Sequence, residues 1–232
     1  NSCWLEKWFQ ASSAQGVRAL ETLREGVRQA IAALGRGFLA HPGNRTLRDS
    51  LQKGTLSGQE YYRQLLRLVY RLLFLFVAED RDLLLAPGAE SAARDRYVAY
   101  YSAARLRRLA ERRRGTKHCD LYRGLRLLFG LLREGYPPLG LPGLGSFLFS
   151  EWSTPDLDGV ELDNGSLLEA IRALAFTVER NVRRPVDYRN LGSEELGSVY
   201  ESLLEYHPEL NSEAGVFELG VAAGSERKTT GS

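Results

Sequence analysis

At 232 residues the chain fits one large domain or two small ones, and it is long enough to bury a sizeable core. A composition of 44% hydrophobic and 26% charged residues excludes a disordered chain. The net charge of +2 is almost balanced, so any attraction to nucleic acid has to come from a local patch.

Read from the start, residues Gly16 to Leu34 place Val17, Leu20, Leu23, Val27, Ala30, Ile31 and Leu34 at spacings of three and four, which predicts a helix with one apolar stripe. Pro42-Gly43 marks a loop. Ser57-Gly58-Gln59-Glu60 reads as a capping box that starts a helix running to about Asp82. That helix is apolar on nearly every face between Leu65 and Val77, which suits the centre of a bundle. After a break at Pro87-Gly88, helices are expected over 92–101, 103–114, 121–134, 167–180 and 194–206. Ser166 with Glu169 reads as a second capping box, and Ser193 as an N-cap followed by Glu194 and Glu195.

The long interruption at 135–165 holds Pro137, Pro138, Pro142 and Pro155. Its Leu139, Leu141, Leu144, Phe147, Leu148, Phe149 and Trp152 predict a loop packed on the core. The glycine-rich Gly140–Gly145 lacks the strand, tight turn and helix start of a dinucleotide loop. Residues 215–219 suit a short strand, and a loose tail is expected beyond Gly220. The fold class expected is all-α: a multi-helix bundle with a long Pro/Gly loop and a short irregular or β tail. It divides into a helical bundle at 1–134, the packed loop at 135–165, further helices of the same domain at 166–210 and a connector at 211–232.

One basic run stands out: Arg105, Arg107, Arg108, Arg112, Arg113, Arg114 and Lys117, with Glu111 the only acid among them. Arg105, Arg108 and Arg112 share one helix face. The run reads either as a solvated face paired with acids elsewhere or as a face that neutralises phosphates. Nearby Tyr97, Tyr100 and Tyr101 suit core packing or base stacking. Lys7, Lys53, Lys117 and Lys228 are the only lysines; genome composition can produce the arginine excess, which also supplies planar donors for phosphates.

Glu79, Asp80 and Asp82 read as an acidic patch neutralised by arginines; as a magnesium site for nuclease work they lack a nearby lysine, the nearest in sequence being Lys53. His41, His118 and His207 are the only histidines, and His118-Cys119 lacks the paired spacing of a zinc site. No Gly-x-Ser-x-Gly motif supports a serine nucleophile. Cys3 and Cys119 cannot build a disulfide framework, so reduced thiols and a cytoplasmic setting are expected. Glu6 and Lys7 interrupt any apolar leader, and the longest apolar stretch, Leu72–Ala78, is far short of the roughly 20 residues that span a bilayer.

The run Asp187-Tyr188-Arg189-Asn190-Leu191-Gly192-Ser193-Glu194-Glu195-Leu196-Gly197-Ser198-Val199-Tyr200-Glu201-Ser202-Leu203-Leu204-Glu205 resembles the segment that precedes the methylase domain in restriction–modification DNA adenine methyltransferases. Glu226-Arg227-Lys228-Thr229-Thr230-Gly231-Ser232 is similar to that family's lead-in to a Tyr-Tyr-Thr-Pro motif. The stretches 61–81 and 106–117 also resemble its helical part.

The resemblance implies a parent enzyme that uses S-adenosylmethionine to methylate adenine N6 in DNA, with magnesium needed only if a nuclease domain is present. The family's Asn-Pro-Pro-aromatic motif does not occur here, so no catalytic or cofactor-binding residue carries over. The lack of methionine, even at position 1, fits an internal piece of such a protein. The expected role is a connector between DNA and the methylase domain of the same chain, with Tyr188, Leu191, Glu195, Leu196, Tyr200 and Leu204 packing on that domain. A helical protein-interaction module and a nuclease-bearing segment are the alternatives.

Overall fold

In the computed structural model, residues 4–179, 182–203, 206–211 and 216–221 are described; the side chains of residues 4–19 and of Tyr200, among others, lie outside that description. The chain begins with a 37-residue helix, α1 (Trp4–Ala40), longer at both ends than the apolar stripe alone predicts. Leu23, Val27, Ala30, Ile31 and Leu34 of that stripe are buried. A short helix that the periodicity did not mark, α2 (Arg45–Gln52), follows the Pro42-Gly43 turn.

The apolar stretch in the middle of the sequence becomes α3 (Gly58–Asp80), with thirteen buried residues. Apolar side chains on nearly all faces leave such a helix nowhere to go but the interior. Ser57 Oγ accepts from the Glu60 N–H at 3.1 Å, as the capping box predicts. Glu60 sends its carboxylate to Arg67 (3.0 Å) rather than back to the cap. The one cation that α3 buries deeply, Arg71, donates to the Leu148 carbonyl (2.7 Å) and the Ser150 carbonyl (3.1 Å).

Helices α4 (Ser91–Tyr100), α5 (Ala103–Arg112) and α6 (Asp120–Glu134) follow close to their expected places. The loop at 135–165 carries three short 3-10 turns and packs through Leu139, Leu141, Phe149, Leu157 and Leu162. Phe147 and Trp152, expected in that packing, are instead mostly exposed, at 61% and 79%. In the turns at Phe147–Phe149 and Glu151–Ser153, Phe149 is buried in the core and Leu148 packs partly against it, while Phe147 and Trp152 lie on the outer side.

Helix α7 (Asn164–Ala175) differs from expectation at both ends. Its cap is Asp163, which accepts from the Ser166 N–H at 2.8 Å, while Glu169 pairs with Arg36 of α1. A carboxylate three residues upstream satisfies the first turn, so the Ser166–Glu169 box is not needed. The helix stops at Ala175 rather than near residue 180, because Phe176-Thr177-Val178 favours extended backbone. Strand β1 (Phe176–Glu179) pairs antiparallel with β2 (Val182–Pro185), setting Phe176 opposite Pro185 and Val178 opposite Arg183.

The last described elements are also tied down. Helix α8 (Ser193–Leu203) buries Val199 and Leu203, and the Tyr62 hydroxyl donates to the Leu203 carbonyl at 2.6 Å. Strands β3 (Tyr206–Asn211) and β4 (Val216–Val221) form a second hairpin across the boundary expected at 210/211. Its Phe217 is fully buried, edge-on to Tyr61 at 5.7 Å. Gly35 of α1 makes room for it: a Cβ there would meet the Phe217 ring at 2.5 Å. Among the described residues the fold is therefore mostly helical with two short two-stranded sheets, rather than all-α. No helix among the described residues is long and apolar enough to cross a membrane. The expected loose tail beyond Gly220 falls, apart from Val221, outside the described residues.

Candidate nucleic-acid interface

The basic run is not uniform. Arg107 turns inward: its guanidinium makes a two-pronged pair with Asp80 (3.0 and 2.5 Å) and lies 5.0 Å from the centre of the Phe76 ring. Burial disfavours its charge, but the Asp80 carboxylate outweighs this and raises its pKa. Arg107 is thus a partly buried cation whose guanidinium is taken by Asp80, which speaks against its assignment as a DNA contact. The reason lies one turn away in sequence space: Leu106 and Ala110 are the buried face of α5, and Arg107 flanks it.

Of the remaining cations, Arg105 is half-buried and Arg108, Arg112, Arg113, Arg114 and Lys117 are exposed. Among the described residues, the side chains of Arg105, Arg108, Arg112, Arg113, Arg114 and Lys117 make no ion pair. Arg105 is half-buried beside Tyr100, which is 70% exposed, so a guanidinium and an aromatic ring share one shallow cavity. Tyr97, by contrast, is buried and donates its hydroxyl to Glu79. Helix α5 ends at Arg112 and the chain extends, which swings Arg113 and Arg114 away from the Arg105–Arg108 stripe.

Two arginines outside that run join it. Arg172 of α7 and Arg183 of β2 line an open groove of about 710 Å³ together with Arg112, Arg113 and Arg114. Arg172 donates from Nε to the Ala110 carbonyl (2.8 Å) and from Nη2 to the Arg113 carbonyl (2.7 Å), tying the end of α5 to α7. Burial and then the nearby Arg183 charge lower its pKa, with Arg114 adding to the effect. Neither residue stands out in sequence; only the fold brings them to the run. The one available signal is the pair Arg183-Arg184 beside Pro185.

The acids at the end of α3 are held apart by separate partners. Glu79 accepts from the Ala103 N–H (2.6 Å) and the Ala104 N–H (2.8 Å), so it caps the start of α5. Burial nevertheless pushes its pKa up. Asp80 pairs with Arg107, and Asp82 with Arg189 at 3.4 Å. Asp82 is also the one described non-glycine residue with a left-handed backbone (φ 56°). Among the described residues no group of three His, Cys, Asp or Glu could hold a metal ion. Cys119 Sγ lies 3.4 Å from His41 Nε2, a contact absent from the sequence reading; burial raises the thiol pKa. The His207 side chain and Cys3 lie outside the described residues.

The residues expected to meet a following domain divide. Tyr188 is fully buried in this domain's own core, with its hydroxyl on the Leu174 carbonyl (2.8 Å) and its ring 5.2 Å from Phe76. A ring so enclosed presents nothing to another domain, and its assignment as an interdomain contact is corrected on that ground. Leu191 and Leu196 are half-buried against the same core, and the Leu191 carbonyl accepts from Arg81 at 2.7 Å. Glu195 is partly exposed. The Tyr200 side chain and Leu204 lie outside the described residues.

Compared with protein-family models, curated proteins and solved structures, the chain matches none.

Proposed function

We propose that this chain is a non-catalytic helical scaffold of a restriction–modification DNA adenine methyltransferase that holds the DNA backbone without reading its sequence. The family assignment rests on the resemblance of 187–205 and 226–232 described above. The DNA contact rests on one observation: among the described residues, the half-buried Arg105 and the exposed Arg108, Arg112, Arg113, Arg114 and Lys117 make no ion pair, although acids occur throughout the chain. Such a surface neutralises phosphates and fixes register, leaving base readout to other parts of an enzyme. Its mechanism is positional, because small misplacements far from the chemistry cost large factors in rate. S-adenosylmethionine and the methylase domain belong to the parent enzyme, and DNA is the partner in common.

Reversing Arg105, Arg108 and Arg112 to glutamate tests this reading. It expects loss of duplex binding with the fold retained, and unchanged affinity would overturn it. A second reading, a helical protein-interaction module, draws on the exposed Phe147 and Trp152. Concentration-dependent association without DNA binding would favour it.

A further inference from the structure

The register of β1 and β2 puts Phe176, Val178 and Arg183 on one face of the hairpin, because cross-strand partners share a face. That face looks onto α1 across a slot of about 370 Å³, in the size range of small-ligand sites. Ala32 of α1 and Ala173 of α7 add to the apolar part of its lining, and Arg28, Gln29 and Arg36 of α1 with Glu169 and Arg172 of α7 make the rest polar. The slot and the larger arginine groove share Glu169, Arg172 and Arg183, so the two are continuous.

The acids of this channel are largely occupied. Glu169 is bound by Arg36 at 3.1 Å, and Asp163 caps α7. Glu111 is exposed at the outer rim. The Arg183 guanidinium lies 5.8 Å from the centre of the Phe176 ring and has no acidic partner among the described residues. A planar cation on an aromatic ring offers its free face for stacking and its edge for phosphate.

We infer that this channel takes a single nucleic-acid strand, with phosphates along Arg112–Arg114 and Arg183 and one unstacked base in the slot between α1 and the β1–β2 hairpin. A duplex keeps its bases stacked inside and offers only phosphates, whereas a single strand can place a base against Arg183 and the apolar lining. The inference rests on the proposed DNA contact and shares Arg112, Arg113 and Arg114 with it, while Arg183 and the slot lie outside that set of cations.

The test is fluorescence anisotropy of the 232-residue chain with a labelled oligothymidine and with a duplex at matched salt. The single strand should bind more tightly. Arg183→Glu and Val178→Glu, both at exposed strand positions, should each weaken it by about tenfold, in line with the loss of one stacked base. Duplex affinity should fall by a clearly smaller factor, since a duplex offers no base to the slot, and melting curves should show both variants folded; equal losses for the two ligands would overturn the inference. Equal or weaker single-strand binding, or folded variants that bind it unchanged, would overturn the inference while leaving duplex binding intact. Single-strand binding that survives while duplex binding is absent would overturn the scaffold reading instead, and absence of both would overturn the two together.

Discussion

Arg172 donates to the Arg113 carbonyl at 2.7 Å, so a side chain on α7 fixes where the basic run leaves α5. Its Nε holds the Ala110 carbonyl in the same way. These two bonds satisfy carbonyls that the end of a helix leaves open. Arg172→Met should therefore destabilise the fold by about 1.5–3 kcal/mol, the range for hydrogen bonds to charged groups. It should also loosen the placement of Arg113 and Arg114. Denaturant midpoints measure the first effect, and proteolysis near residue 114 the second.

The Arg107–Asp80 pair gives a contrasting prediction. Both side chains are largely shielded, at 18% and 26% exposure. Removing either leaves a poorly solvated charge beside Phe76, so Arg107→Met and Asp80→Leu should each cost about 1.5–3 kcal/mol. The double variant should cost clearly less than the sum, because neither charge is then orphaned. A double-mutant cycle by chemical denaturation reads this coupling. Additive losses would mean that the two groups do not depend on each other.

Glu79 should give a specific pH signature. Burial raises its folded pKa above the ordinary 4.5, so the folded state binds the proton more tightly than the unfolded one. The stability it contributes is fully present below about pH 4.5 and is lost as pH rises through the folded pKa. Glu25, Glu161 and Asp187 run the other way, since their pKa values are lowered and their contribution fades as pH falls. Comparing Glu79→Gln with the parent isolates the first effect. The variant should lack the decline in stability that begins just above pH 4.5, and parallel curves would show Glu79 titrating normally.

Phe217 tests whether β3–β4 belongs to this domain. Its ring is fully buried between Gly35 and Tyr61. Phe217→Ala should cost about 3–5 kcal/mol, as for other buried aromatic residues. A loss near zero would make the hairpin an appendage, as a boundary at 210/211 implies.

The sequence foretold the helices wherever apolar spacing was strong, as in α3, α5 and α6, and the Ser57 cap was local enough to read directly. The hairpin β1–β2 was not legible because Leu167 to Leu174 carries a helical pattern that continues visually into Phe176-Thr177-Val178, where extended pairing with 182–185 wins. For the site, the outward cations of α5 could be named from spacing alone. Arg107 could not be told from them, because its partner Asp80 lies 27 residues away and only packing sets the two side by side. Arg172 and Arg183 were invisible for the same reason, since Arg172 joins Arg113 and Arg114 through the α5–α7 contact and Arg183 through the β1–β2 hairpin that follows α7.

The most direct test of the scaffold reading is the salt dependence of duplex binding by the chain. Log affinity plotted against log salt falls with a slope of about −0.9 for each phosphate neutralised. The account predicts a slope worth several phosphates, reduced by about one for each charge removed at Arg105, Arg108 and Arg112 and unchanged by Arg107→Met in the folded fraction. Absence of binding at low salt, or a slope indifferent to those three arginines, would contradict it.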